Sequence, residues 1–132
     1  MKLHKETNCA VCFLSYLACH NRVVPSRDIS DALGFSKQTI TSAGYKLKEK
    51  GYIQTFPGPF GGYTLAKAPA DINVQEVLLS FGDELQIGGE NMPQKDSCSA
   101  VVKLEKIFEK HQEDFKQAMS SLTLADLIKD EK

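Results

Sequence analysis

The sequence is poor in the features that would commit it to a membrane, to an oxidising exterior or to hydrolytic chemistry. No apolar run approaches the length of about 18 residues that a membrane span needs. The first residues, Met1 to Lys5, lack the long apolar stretch and small-residue cleavage site of a secretory signal. The four cysteines are therefore expected in a reducing cytoplasm, as thiols or ligands. There is no G-x-x-x-x-G-K phosphate loop and no histidine–carboxylate pattern suited to hydrolysis. A Cys9-x-x-Cys12 pair is present, but a thiol oxidoreductase wants it at a strand–helix junction, and here it falls inside a helical stretch. No enzymatic activity is expected. Charge of one sign is missing too: 16 Lys and Arg face 17 Asp and Glu, for a net charge of −1 over 132 residues.

That balance hides a division. Residues 1–67 carry nine Lys and Arg against four acids, or +5, while residues 68–132 carry seven Lys against thirteen acids, or −6. A basic front and an acidic back suit a half that faces a polyanion and a half that does something else, unless the charge is merely scattered unevenly. With 42% apolar and 25% charged residues the chain is an ordinary globular one, one domain with an appended element.

The apolar pattern divides the chain further. Ala10, Val11, Phe13, Leu14, Leu17 and Ala18 make residues 6–20 a buried helix. Pro25-Ser26 opens a short second helix, with Ser26 able to cap, Ile29, Ala32 and Leu33 as its apolar face and Gly34 as its stop. Ser36 can cap a third helix to about Lys50, with Ile40, Ala43 and Leu47 facing inward. After Gly51 the period drops to two: Ile53 and Thr55, then Tyr63 and Leu65, flank a Pro57-to-Gly62 tip and predict a hairpin. A short helix over 74–81, a polar loop over 82–98 and a long helix from Ser99 to about Ser121 follow. The expected fold is mainly α with a small β-hairpin wing. It divides into a winged helix-turn-helix domain over 1–81, a sensor loop over 82–98, and a dimerisation helix and tail over 99–132.

Residues 29–47 have helix-turn-helix spacing. Ser30 is the small residue where the second helix crosses the first, Gly34 tolerates the turn and Ile40 plugs the core. Such a pair projects its second helix toward a major groove, and a glycine-rich wing tip can reach phosphates or a minor groove. Arg27, Ser36, Lys37, Gln38, Thr39, Thr41, Ser42 and Lys46 are the candidate DNA contacts of the helical pair, with Tyr45 on the same outward face. Gly58, Phe60, Gly61 and Gly62 are those of the wing, and Lys67 just beyond it could touch phosphate. Read alone, the helical pair is equally an αα-hairpin with a solvated face; the hairpin behind it favours a winged helix. On the long helix Val101, Leu104, Phe108, His111, Phe115, Ala118 and Leu122 step by three and four, a heptad-like seam. It needs a partner, either a second copy of the chain or the chain's own winged-helix domain.

Cys98 precedes that helix, whose N-terminal dipole lowers a thiol pKa, with Lys95 close by. It is a candidate redox thiolate or an inert capping cysteine. Cys9, Cys12 and Cys19 share one helical face and read as small core residues.

These residues resemble the Rrf-two family of bacterial winged-helix regulators, of the IscR, NsrR and CymR types, over nearly the whole chain. The resemblance rests on Met1-Lys2-Leu3 with Ala10, on Ile29 to Ser36, on the tip from Gly58 to Ala66, on Ala68 to Ile72, and on the tail from Ser121 to Leu127. It implies a cytoplasmic, homodimeric, sequence-specific transcriptional regulator, expected to repress, that binds a dyad-symmetric double-stranded DNA operator. Members often place a basic residue before the first wing glycine, where this chain has Pro57, and cluster sensors often have Leu-Glu where this chain has Ile40-Thr41. Cluster-binding members carry three closely spaced cysteines before the long helix, where this chain has Cys98 alone, and Asn8 stands where some add an acidic ligand. No metal or other cofactor is expected; an iron–sulfur or metal-binding sensor is the alternative, as is a winged-helix module that binds protein rather than DNA. In cluster-binding relatives the first helix and the cysteine loop meet across the dimer. The resemblance therefore makes Cys9 or Cys12 a possible disulfide partner of Cys98 from the other subunit. The effector is expected to be an oxidant or a small molecule acting through Cys98 and the 82–98 loop.

Overall fold

The computed structural model of the chain describes residues 3–83 and 99–129. Helix α1 (Lys5–Cys19) runs through the middle of the fold because Cys9, Ala10, Phe13, Leu14 and Leu17 leave it few polar sides. It touches α2 (Ser26–Leu33), α3 (Lys37–Glu49), α4 (Val74–Ser80), α6 (Leu124–Ile128) and the second strand of the hairpin. The core gathers on it: Val24, Ile29, Ile40, Ala43, Leu47, Tyr52, Ile53, Ile72, Val77 and Leu124 are all buried.

The expected class holds, mainly helical with one antiparallel hairpin. Strands β1 (Ile53–Phe56) and β2 (Gly62–Leu65) pair with Ile53 opposite Leu65 and Phe56 opposite Gly62. The hairpin does not stand free. Val24 exchanges two backbone hydrogen bonds with Tyr63, its N–H to the Tyr63 carbonyl and the reverse, both 2.9 Å, so the wing is stitched to the segment ahead of α2. Phe13 meets the Tyr63 ring edge-on with centroids 5.0 Å apart.

Several local expectations are corrected. Ser26 does not cap α2; Pro25 occupies the N-cap, its carbonyl accepting from the Asp28 and Ile29 N–H groups with no side-chain cap, and Ser26 begins the helix. Ala32 lies on the exposed side of α2, and only Ile29 of its supposed apolar face is fully buried. Cys12 and Cys19, seven residues apart on nearly one line of α1, are exposed rather than core thiols; Cys9 lies off that line toward the packed side and is buried.

The long helix α5 spans Ser99–Ser120, as expected. A further helix, α6, was not anticipated. Thr123 and Asp126 form a reciprocal capping box at its start. Its Leu124 is buried among the winged-helix core, packing on α1 and on the 3₁₀ turn Pro69–Asp71. The Leu124 N–H bonds the Ile72 carbonyl at 2.9 Å and the Val74 N–H bonds that of Leu122 at 3.0 Å. Asn73 joins both ends of this seam: its Oδ1 caps α4 through the Glu76 N–H, and its Nδ2 donates to the Ser120 carbonyl, 2.8 Å away. The tail therefore belongs, by packing, to the unit made by residues 3–83.

Candidate nucleic-acid interface

The helix-turn-helix is built as its sequence suggests, with one addition. Gly34 closes α2 in the left-handed conformation at φ 78°, where a side chain would strain. Ser30 is more than a small spacer, because its hydroxyl donates to the Phe35 carbonyl at 2.6 Å and fixes the turn between the helices. Ser36 then caps α3, its Oγ accepting from the Thr39 N–H at 3.1 Å.

These bonds sort the candidate contacts. The Thr39 hydroxyl is half-buried and hydrogen-bonds Ser36 Oγ at 2.8 Å, which ties it to the cap. Thr41 is exposed but turns its hydroxyl back onto the Lys37 carbonyl, 2.9 Å away. Lys46 forms an ion pair with Glu6 of α1, which offsets part of its charge toward a phosphate. Lys37, Gln38 and Ser42 remain. All three are exposed, and their side chains make no hydrogen bond or ion pair to another described residue. They occupy the N-terminal half of α3, with Tyr45 two-thirds exposed beyond them. Glu6 had no sequence signal marking it as a partner; nothing in its own stretch points forty residues ahead.

At the wing, Gly61 and Gly62 are required by the hairpin itself. A Cβ on Gly61 would stand 2.0 Å from the Phe56 carbonyl oxygen, and one on Gly62 would stand 2.3 Å from that of Val24. Their lack of side chains thus answers to the chain's own backbone and need not answer to a phosphate. Gly58, at the tip, has open space around it. Phe60 is 94% exposed, and residues 54–66 hold no charged side chain. Arg27 is exposed at the start of α2 and borders a hollow of about 300 Å³ shared with Phe56, Gly58 and Pro59. Lys67 lies over the Tyr52 ring, 5.4 Å from its centroid.

The seam on α5 splits into two. Phe115 and Leu122, with Met119, pack on Val74 and Leu78 of α4, so this end is covered by the chain's own domain. Toward the other end Leu104 and Ile107 are about half exposed, His111 is exposed, and Val101 and Phe108 are partly buried. Cys98 and residues 84–98 of the expected sensor loop lie outside the described residues.

The remaining thiols answer in part the question of a metal. Burial, then the neighbouring Cys12 and Glu6, push the Cys9 thiol up to about 11, which removes it as a thiolate partner at neutral pH. Among the described residues no three His, Cys, Asp or Glu side chains stand together as ligands. No described helix is long and apolar enough to cross a membrane.

Comparison with known proteins agrees with this geometry. Residues 3–130 match the Rrf2 family, described as iron-dependent transcriptional regulator. The HTH-type transcriptional regulator NsrR of Bacillus licheniformis is 30% identical over 132 residues, covering 97% of this chain and 92% of that protein. The regulator IscR of Photorhabdus laumondii is 29% identical over 104 residues, covering 74% of this chain and 63% of its own. Among solved structures, CymR, the global cysteine regulator of B. subtilis, superposes with a TM-score of 0.80 over 100% of this chain and 99% of that one. At 16% identity it speaks for the fold alone. IscR of T. potens gives a TM-score of 0.69 at 25% identity, covering 100% and 89%.

Proposed function

Because the chain belongs to the Rrf2 family and is a DNA-binding transcriptional regulator rather than an enzyme, we propose that it acts in the cytoplasm as a homodimeric repressor on a dyad-symmetric operator. The observation that carries this reading is the free trio of Lys37, Gln38 and Ser42 on the leading half of α3, held outward by the Ser30–Phe35 bond and the Ser36 cap. Gln38 and Ser42 have the hydrogen-bonding chemistry that reads base edges in a major groove, and Lys37 that of a phosphate or guanine contact. Arg27 supplies a second phosphate contact from α2. A dimer doubles this face, which draws on the net charge of +5 over residues 1–67.

The dimer forms through the half of α5 whose apolar side chains are uncovered, Leu104 and Ile107 with Val101, Phe108 and His111 around them. The wing contributes shape and apolar surface, since it brings no charge: Phe60 at its tip enters the minor groove as a wedge, and covering such a ring is worth about 2–3 kcal/mol. Two half-sites about one DNA turn apart, roughly 34 Å, would place both α3 helices in successive major grooves. A dimer seated there excludes other proteins from that stretch of DNA, which is repression by occupancy. The effector is an oxidant or a small molecule rather than a bound iron–sulfur cluster.

Selection of bound sequences from random double-stranded DNA tests the whole. A recovered palindrome, bound with a log affinity that falls steeply with log salt, is expected. Leu104→Glu combined with Ile107→Glu should convert the dimer to monomer in sedimentation and weaken operator binding at least tenfold. A selection that recovers no sequence, or a double variant that stays dimeric, overturns the proposal.

A further inference from the structure

The outer face of α1 carries two exposed thiols. Its Cys12, Tyr16 and Cys19 border a hollow of about 340 Å³ whose opposite wall is Leu33, the last residue of α2, together with Leu127 and Ile128 of α6. Both thiols are exposed and free. They cannot pair with each other: two helical turns separate their Cα atoms by about 10 Å, and a disulfide spans less than about 7 Å. No third ligand stands near enough to make a metal site among the described residues. What is left is a pocket of mainly aliphatic and aromatic walls, with Ser15 and His20 also in its lining, the size of a ring-bearing small molecule and with a soft nucleophile at two points on its rim.

We propose that this hollow binds small apolar carbon electrophiles of the quinone class and is where they are captured covalently, by Cys12 or Cys19. The chemistry closes without another reagent. The thiol releases its proton to solvent, and the sulfur electron pair forms an S–C bond to a ring carbon. The displaced π pair moves to the carbonyl oxygen, which takes up a proton, and loss of the ring C–H proton to the second oxygen leaves an aryl thioether of the hydroquinone. The quinone ring is reduced by two electrons as the sulfur–carbon bond forms, and nothing leaves. Leu33 sits one residue before the Gly34 turn, so an adduct against it bears on the element that aims α3. That regulatory consequence rests on the proposed function above; the capture itself does not.

The test treats the full-length protein with 1,4-benzoquinone and maps adducts by intact and peptide mass, beside iodoacetamide, which needs no pocket. Quinone should label Cys12 or Cys19 first, and Ser15→Phe, which fills the hollow from its own lining, should slow that labelling at least tenfold while leaving iodoacetamide labelling within twofold. Cys12→Ser with Cys19→Ser should abolish the first adduct. First labelling at Cys9 or Cys98, or a quinone rate unchanged by Ser15→Phe, overturns the site. Protein shown to bind its operator beforehand should lose at least tenfold in affinity once the adduct forms. A stoichiometric adduct with unchanged affinity overturns the regulatory consequence, whereas protein that never bound DNA overturns the proposed function instead.

Discussion

Replacing Gly62 by Ala should detach the wing from the body. The added Cβ would lie 2.3 Å from the Val24 carbonyl oxygen, where contact begins near 3.0 Å, so the two backbones must part by at least 0.7 Å. The Val24–Tyr63 hydrogen bonds are both 2.9 Å, and that parting carries them out to about 3.6 Å, beyond bonding range. Each is worth about 1 kcal/mol net, and Val24 is fully buried, so its N–H and carbonyl are left without water as well. The sum is about 2–4 kcal/mol, which in a chain of this size lowers Tm by roughly 8–15 °C. Urea unfolding followed by circular dichroism measures the first, and fluorescence anisotropy on the selected operator measures whether the loosened wing still helps to bind. Gly58→Ala is the control: it meets open space and carries only the cost of a left-handed alanine, about 1 kcal/mol. A Gly62→Ala variant no less stable than Gly58→Ala would refute the reasoning.

Leu124→Ala should cost about 3 kcal/mol, because it empties a fully buried leucine site, while Leu127→Ala, 40% exposed, should cost under about 1 kcal/mol; denaturant midpoints compare them. Lys37→Gln should reduce the slope of log affinity against log salt by about one per subunit with little change of sequence preference, whereas Gln38→Ala should relax preference at one base pair of each half-site, read by repeating the selection. The Cys9 thiol holds its proton to about pH 11 in the folded chain and only to an ordinary thiol value when unfolded. Its stabilising contribution is therefore complete below about pH 9 and is lost as pH rises toward 11, so stability should fall through that window. Buried Tyr52 and partly buried Tyr63, also raised by burial, act in the same direction, so Cys9→Ala should flatten the Tm-against-pH slope without removing it.

Local signals carried most of the architecture. Gly34, Ser36 and the alternation across Ile53, Thr55, Tyr63 and Leu65 each depend on near neighbours, and the helices and hairpin fall where those residues place them. What the sequence concealed was long-range. Nothing around Lys46 announces Glu6, and Ser30 reads as a spacer until the Phe35 carbonyl is placed beside it. The glycines of the wing were legible as necessary, but the reason for Gly61 and Gly62 was not, since Phe56 and Val24 reach them only once the hairpin has closed. Thr123 with Asp126 is a capping signal legible in the local sequence. The heptad steps of α5 are real, yet the seam is not uniform: Phe115 and Leu122 are claimed by α4 while Leu104 and Ile107 stay about half exposed, and periodicity alone cannot tell a covered stretch from an uncovered one.

The return of Leu124 into the core also sets an order of events during synthesis. Ile72 and Leu124, whose backbones bond each other, are fifty-two positions apart, so at 5–20 residues per second the ribosome needs about 3–10 s to supply the second after the first. Through that interval the helix-turn-helix exists without the residue that closes one wall of its interior, and α5 is already made. Maturation of the DNA-reading unit is thereby tied to completion of the long helix α5. A nascent chain halted between them would expose the apolar surface of α1 and α4 that Leu124 and Leu122 later cover, and would be marked for quality control before it could compete for an operator.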